Sequence, residues 1–237
     1  MIGKFNVYDF LADLLPGLLV LWCLEQILKT RGVALPITFS GNFAEASMLI
    51  VFGFLVGLFL QRVGERLLDP VLKWLWQGFP SGRWLLPDNT EYPFKNRVIE
   101  LVSKHFGVST EAGTPAALSA EENNKRRMAT NQAIFYLCYN YVDQHKLSDR
   151  PLIFNAQYGM FRGLLTAFAL VFVLSCIFFG HFWIHDLKSN LRSFIGTASM
   201  IPLMWLAYAG CKRRGENFAR SIYDLFVTSD LAISRAP

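Results

Sequence analysis

Residues 163–184 (GLLTAFALVFVLSCIFFGHFWI) and 193–211 (SFIGTASMIPLMWLAYAGC) contain no Asp, Glu, Lys or Arg. A helix needs roughly 20 consecutive apolar residues to cross the hydrocarbon core of a bilayer. Each run is close to that length, and a soluble domain would have to bury both of them side by side. The pair predicts an integral membrane protein. Composition agrees: charged residues make up 17% of the chain, against roughly 25% in soluble domains.

Two earlier runs read as further spans. Residues 10–28 are apolar apart from Asp13, Glu25 and Gln26, and residues 44–60 carry only Glu45 at their mouth. Asn6 is placed to cap the first helix, with Asp9 favouring its N-terminus, and Pro16-Gly17 predicts a bend. Asp9 and Asp13 stand where the uninterrupted apolar core of a cleavable signal should begin, so the segment is expected to remain as a span. The expected fold is an all-α integral membrane protein with four transmembrane helices. It comprises a hairpin over 1–60, a helical cytosolic region over 61–162, a hairpin over 163–211 with spans at 163–184 and 193–211, and a cytosolic amphipathic tail over 212–237. A three-span arrangement with the first run re-entrant is the rival.

Orientation follows from the basic residues. Lys4, the middle region and the tail hold 19 of the 23, whereas the two short links hold Lys29, Arg31, Lys188 and Arg192. Basic loops stay cytoplasmic, so a multi-pass protein with both termini inside is expected. Arg62, Arg66, Arg162 and Lys212-Arg213-Arg214 lie near span ends, where this rule acts most strongly. The same explanation covers the net charge of +5 without invoking nucleic acid.

The middle region reads as helical. Leu67, Val71, Trp74 and Leu75 recur at helical spacing after the second span, with Pro70 expected to bend the segment. Trp74, Trp76 and Trp84 with Arg83 suggest that this part rests on the membrane surface. Pro93 and Gly107 bracket a helix whose stripe is Val98, Leu101, Val102, His105 and Phe106, with His105 expected in the core. Residues 108–118 read as a loose connection. Ser119 and Glu122 match a capping box that opens a helix to about His145, with Met128, Phe135, Tyr139 and Val142 inward. Asp149-Arg150-Pro151 starts a helix expected to continue into the third span, with Gly159 a weak point in it. In the tail, Phe218, Ile222, Leu225 and Phe226 share a face.

Several side chains merit attention as candidate sites. Asp9 and Asp13 are four apart on the first helix, and a carboxylate at membrane depth is costly unless it is paired or faces water. Either they line an ion path, or they pair with Arg213, Arg214 or Arg220. Glu25 and Glu45 are expected at the other interface, exposed there or ringing a mouth. Gly53 and Gly57 form a GxxxG motif for close helix packing. Lys125, Arg126 and Arg127 form a basic run that either contacts an anionic ligand or lipid, or is a solvated face partly neutralised by Glu121 and Glu122.

Catalytic and metal chemistry find little footing. The chain has no Walker loop, no GxSxG and no HExxH, and His145 and Asp149 have no nucleophile evidently placed beside them. His181 and His185 are spaced to hold a metal, but Phe182 and Trp183 between them fit an aromatic belt better. The four cysteines show no paired spacing, so no disulfide framework, zinc site or cofactor is expected. Cys211 is either an acylation site at a membrane edge or a small apolar residue.

The opening, Phe5-Asn6-Val7-Tyr8-Asp9-Phe10 followed by Leu14-Leu15-Pro16-Gly17, resembles the start of small multi-span membrane effectors of bacterial anti-phage defence systems. The layout is similar too: two spans, a cytosolic helical block, two spans, then a basic helix. The resemblance implies an inner-membrane effector, sometimes controlled by a nucleotide or oligonucleotide signal or a soluble operon partner. It assigns no ligand residue. The expected function is a homo-oligomeric effector or ion channel in the lipid bilayer, gated through the cytosolic helices. The alternative is a non-conducting scaffold or sensor that recruits a soluble partner, and an enzyme acting on lipid ranks third.

Overall fold

A computed structural model of the chain describes residues 7–29, 43–86, 92–107, 120–185 and 191–233. These are mostly helical, with short turns between helices and no strand among the described residues. The order is α1 (Val7–Lys29), α2 (Phe43–Val63), a π-helical turn (Gly64–Leu68), α3 (Asp69–Leu75), α4 (Pro80–Arg83), α5 (Lys95–Phe106), α6 (Ala120–Gln144), α7 (Arg150–His185) and α8 (Leu191–Ile233). Four stretches, Phe10–Lys29, Phe43–Arg83, Arg150–Phe178 and Phe194–Ser229, are long and apolar enough to cross a membrane. They fall where the four apolar runs of the sequence fall.

The chain divides into two compact units. One comprises Met1–Pro70 and Ala156–Arg213, and the other Val71–Asn155 and Arg214–Pro237. By packing, residues 61–70 fall with the first and last apolar helices, and most of the tail falls with the middle region.

In the first unit α1 and α2 pack main chain to main chain. A Cβ on Gly17 would strike the carbonyl of Gly53, and one on Gly57 would strike the carbonyl of Asp13. The GxxxG pair is therefore used within the chain, against α1. Val20, Cys23, Leu60, Ala167 and Val171 form the buried centre of this unit. Helix α1 runs through Pro16 without interruption.

The irregularity after α2 comes before Pro70. The Asp69 N–H bonds the Gly64 carbonyl, five residues back. Proline lacks an N–H and its ring crowds the carbonyl four residues earlier, here Arg66. Widening the preceding turn by one residue relieves that clash while keeping the helix running.

The second unit has its own core. Val98, Leu101 and Val102 of α5, Ile134, Phe135, Cys138 and Val142 of α6, and Ala219, Ile222, Tyr223 and Phe226 of α8 are buried together with Trp84, Leu85 and Tyr92. The apolar stripe of the tail thus fills a protein core. Tyr223 donates a 2.5 Å hydrogen bond to the Ser81 carbonyl, and Tyr92 donates one of 3.0 Å to Asp224. Gly107 ends α5 in the left-handed conformation at φ 63°, as the sequence suggests. Two expectations fail here. His105 is exposed at the core's rim, with ring contacts to Tyr141 and Phe226. Trp76 and Trp84 are buried, leaving Trp74 alone outside. Ser119 and the 108–118 connection lie outside the described residues. Helix α7 starts where expected, but the Ser148 hydroxyl accepts the Arg150 N–H at 3.1 Å, supplying a side-chain cap from one residue earlier than Asp149.

Candidate functional site

Among the described residues, a polar cluster in the first unit is built on Arg162 of α7. Its Nε and Nη2 donate to Gln61 Oε1 at 3.3 and 3.0 Å. Nη2 also reaches Glu65 Oε1 at 3.2 Å, and Nη1 reaches Asp69 Oδ2 at 3.3 Å. The face of Tyr158 lies 5.6 Å from the guanidinium carbon. Gln61, Glu65 and Asp69 follow one another at intervals of four across the π-turn, so a single planar guanidinium contacts the end of α2, the turn and the start of α3.

The main chain fits this arrangement. Gln61 uses its other amide end to donate to the Gly159 carbonyl at 2.7 Å. Thr166 returns a 2.9 Å hydrogen bond to the Arg162 carbonyl. A Cβ on Gly64 would come within 2.8 Å of Thr166 Oγ1, so a larger residue there would displace the Thr166 hydroxyl. Arg162 is only 13% exposed, Asp69 19% and Glu65 40%. Arg62 meets the other oxygen of Glu65 at 3.1 Å. Two cations therefore face two carboxylates, which leaves the cluster near neutrality and able to sit at the end of an apolar bundle.

A second carboxylate lies deeper. Glu25 of α1 is 2% exposed, which corrects its expected place at an exposed interface. Its Oε1 lies 2.8 Å from Lys29 Nζ, yet that oxygen accepts no well-aligned hydrogen bond. The pair is held by charge more than by geometry. Glu45 is half-buried.

The other residues singled out in the sequence are not gathered into one place. Gly53 and Gly57 are buried against α1. Asp13 is half-buried, with its main chain against Gly57. The Asp9 side chain lies outside the described residues, as do those of His181 and His185. Arg213 is exposed, Arg214 lies 6.0 Å from the ring of Phe154, and Arg220 pairs with Asp224 at 3.7 Å. Lys125, Arg126 and Arg127 are all exposed on α6. Cys211 is a buried free thiol, which favours the apolar reading over acylation. Among the described residues no group of His, Cys, Asp and Glu could hold a metal ion.

Arg162 is the residue that sequence reasoning underrated, reading it only as a basic marker near a span end. The available signal was the spacing of Gln61, Glu65 and Asp69, with Arg62 and Arg66 alternating among them.

In the second unit, burial dominates the electrostatics. It pushes the Cys138 thiol up to about 12. Burial, followed by the Asp224 charge and its hydrogen bond, holds the Tyr92 hydroxyl well above its ordinary range. Neither group ionises near neutrality, so neither supplies a nucleophile.

No protein-family model, curated protein or solved structure matches the chain.

Proposed function

We propose that the chain spans a bacterial inner membrane four times, with both termini cytoplasmic. There it acts as a homo-oligomeric effector that conducts ions under the control of its cytosolic helices. Support for the membrane reading comes from the outward face of the apolar helices. Ile50, Val51, Phe52, Leu55 and Phe59 of α2, and Ile195, Ile201, Trp205 and Leu206 of α8, are all exposed, and apolar surface on this scale marks contact with lipid or protein. Because α1 and α2 touch main chain to main chain, water cannot pass between them. In this reading the conducting path is assembled from several copies.

The observation that carries the gating reading is the Arg162 junction. Its contacts bridge the π-turn, and single π-turns inside α-helices recur at functional sites. A ligand or partner moves such an element only by binding its two arrangements unequally. We identify the junction as the latch of the closed state. A defence role rests on the N-terminal resemblance.

The test is reconstitution of purified protein into dye-loaded liposomes, with its mass in a mild detergent measured in parallel. Protein-dependent ion flux from a multimeric species supports the reading. A monomer that leaves the vesicles tight contradicts it and favours the scaffold alternative. That alternative draws on Phe94 and Tyr136, both more than half exposed in the second unit, where a soluble protein could dock.

A further inference from the structure

We propose that the second unit carries a docking face for the anionic surface of a lipid bilayer, made of Val71, Trp74 and Leu75 of α3 with the Lys125-Arg126-Arg127 run of α6. The inference rests on the membrane-spanning reading of the chain but not on conduction.

Helix α3 is apolar on two sides. Leu72 and Trp76 point inward and are buried, while Val71, Trp74 and Leu75 are 47%, 77% and 50% exposed. The exposed three stand at i, i+3 and i+4, one face of a helix. The end of α3 sets this division. The Gly78 N–H bonds the Lys73 carbonyl at 2.7 Å and the Gln77 N–H bonds the Trp74 carbonyl at 3.2 Å, with Gln77 at φ 53°. That is a Schellman ending; it stops α3 just after Trp76 and leads the chain into α4.

Helix α4 is fastened to α6. Asn131 donates to the Gly82 carbonyl at 2.9 Å, and Ser81 donates to Gln132 at 3.0 Å. A Cβ on Gly78 would collide with the end of Met128. Lys125, Arg126 and Arg127 immediately precede Met128, the α6 residue that meets the turn after α3. Lys73 is exposed on the other side of α3, with its ammonium 5.0 Å from the ring of Phe79.

Membrane surface fits this face better than a soluble nucleotide does. A nucleotide site needs donors that converge in a cavity, whereas three consecutive helical residues fan out about 100° apart. Attraction to anionic headgroups needs no convergence, because each Lys or Arg near the surface adds about 1 kcal/mol. Tryptophan favours the headgroup level, and lysine can lay its stem on apolar surface while its charge stays wet.

The test uses the full-length protein in lipid nanodiscs, either pure phosphatidylcholine or containing phosphatidylglycerol. The emission of Trp74 is obtained by subtracting a Trp74→Phe sample, a change at an exposed site. In discs with phosphatidylglycerol, the Trp74 signal should be lost to brominated lipid chains and shielded from aqueous acrylamide. Shielding should fall in pure phosphatidylcholine and in the triple variant Lys125→Gln, Arg126→Gln, Arg127→Gln. Equal acrylamide quenching in both lipids, with no effect of bromination, would overturn the proposal. So would shielding produced by ATP in neutral discs and not by phosphatidylglycerol. Because no step reads ion flux, failure here and failure of the channel reading are separate results.

Discussion

Arg162 of α7 meets Asp69 of α3 at 3.3 Å while both side chains are largely withdrawn from water. The partners are 93 residues apart in sequence, so the contact reports tertiary structure and not helix propensity. In a double-mutant cycle with Arg162→Gln and Asp69→Asn, the coupling should be roughly 1–2 kcal/mol, within the range for directly contacting charged groups. Chemical denaturation in detergent reads it. A coupling near zero would show that Gln61 and Glu65 hold Arg162 without help from Asp69.

Packing of α1 on α2 leaves no room for a methyl group at Gly57. Gly57→Ala should cost about 3 kcal/mol or more, the upper end for overpacking, because the obstacle is the main chain of Asp13. Gly196 is the control, since a Cβ there meets nothing within 4 Å. Gly196→Ala should be neutral or slightly stabilising. Melting of the two variants in the same detergent checks both expectations, and equal melting temperatures would refute the intrachain use of the GxxxG pair.

The basic-residue bias predicts sidedness. In a cysteine-free background, Ser189→Cys in the short link should react with an impermeant thiol reagent on cells whose outer membrane has been made permeable. Gln144→Cys, exposed at the end of α6, should react only after the inner membrane is opened. Ser229 is a poor reporter despite its place in the tail, because it is buried and bonded to the Phe226 carbonyl at 2.8 Å. Early labelling at position 144 would reverse the orientation.

Alkaline pH should weaken the second unit. The Cys138 thiol is raised from 9.0 to about 12 in the folded state, so the folded chain keeps a proton that the unfolded chain releases. Its contribution is intact below pH 9 and is lost progressively between 9 and 12, at up to about 1.4 kcal/mol per pH unit. Tyr92, also raised, steepens the loss above its ordinary value of 10. Hydrogen exchange of the α5 and α6 amides should show this slope, and Cys138→Ala should flatten its lower part. Identical slopes in the two proteins would contradict the assignment.

Hydrophobic periodicity made much of the fold legible. Four uncharged or nearly uncharged runs located the helices long and apolar enough to cross a membrane, and the stripes of α5 and α6 located part of the second core. Three features were not legible, each for a physical reason. Phe218, Ile222 and Phe226 had a visible apolar face, but periodicity does not say whether such a face meets lipid or protein. Trp76 and Trp84 read as interfacial because tryptophan suits both an interface and a core. Arg162 looked like a topology marker because only the fold brings it to Gln61, Glu65 and Asp69. The GxxxG pair announced close packing, and the structure added the partner, Gly17 and Asp13 of the same chain.

Ion flux through Arg162 variants is the most direct test of the latch. Proteoliposomes holding wild type, Arg162→Lys and Arg162→Gln at matched protein content would be compared with empty vesicles, after size-exclusion has shown the same assembly for each. Arg162→Gln removes the charge that holds Glu65 and Asp69, and each 1.4 kcal/mol lost from the closed state raises the open fraction about tenfold. Its resting flux should exceed that of wild type by about that factor, with Arg162→Lys between them because lysine cannot bridge several acceptors with a rigid fork. Flux equal to empty vesicles for all three proteins, or no difference between wild type and Arg162→Gln, would contradict the account.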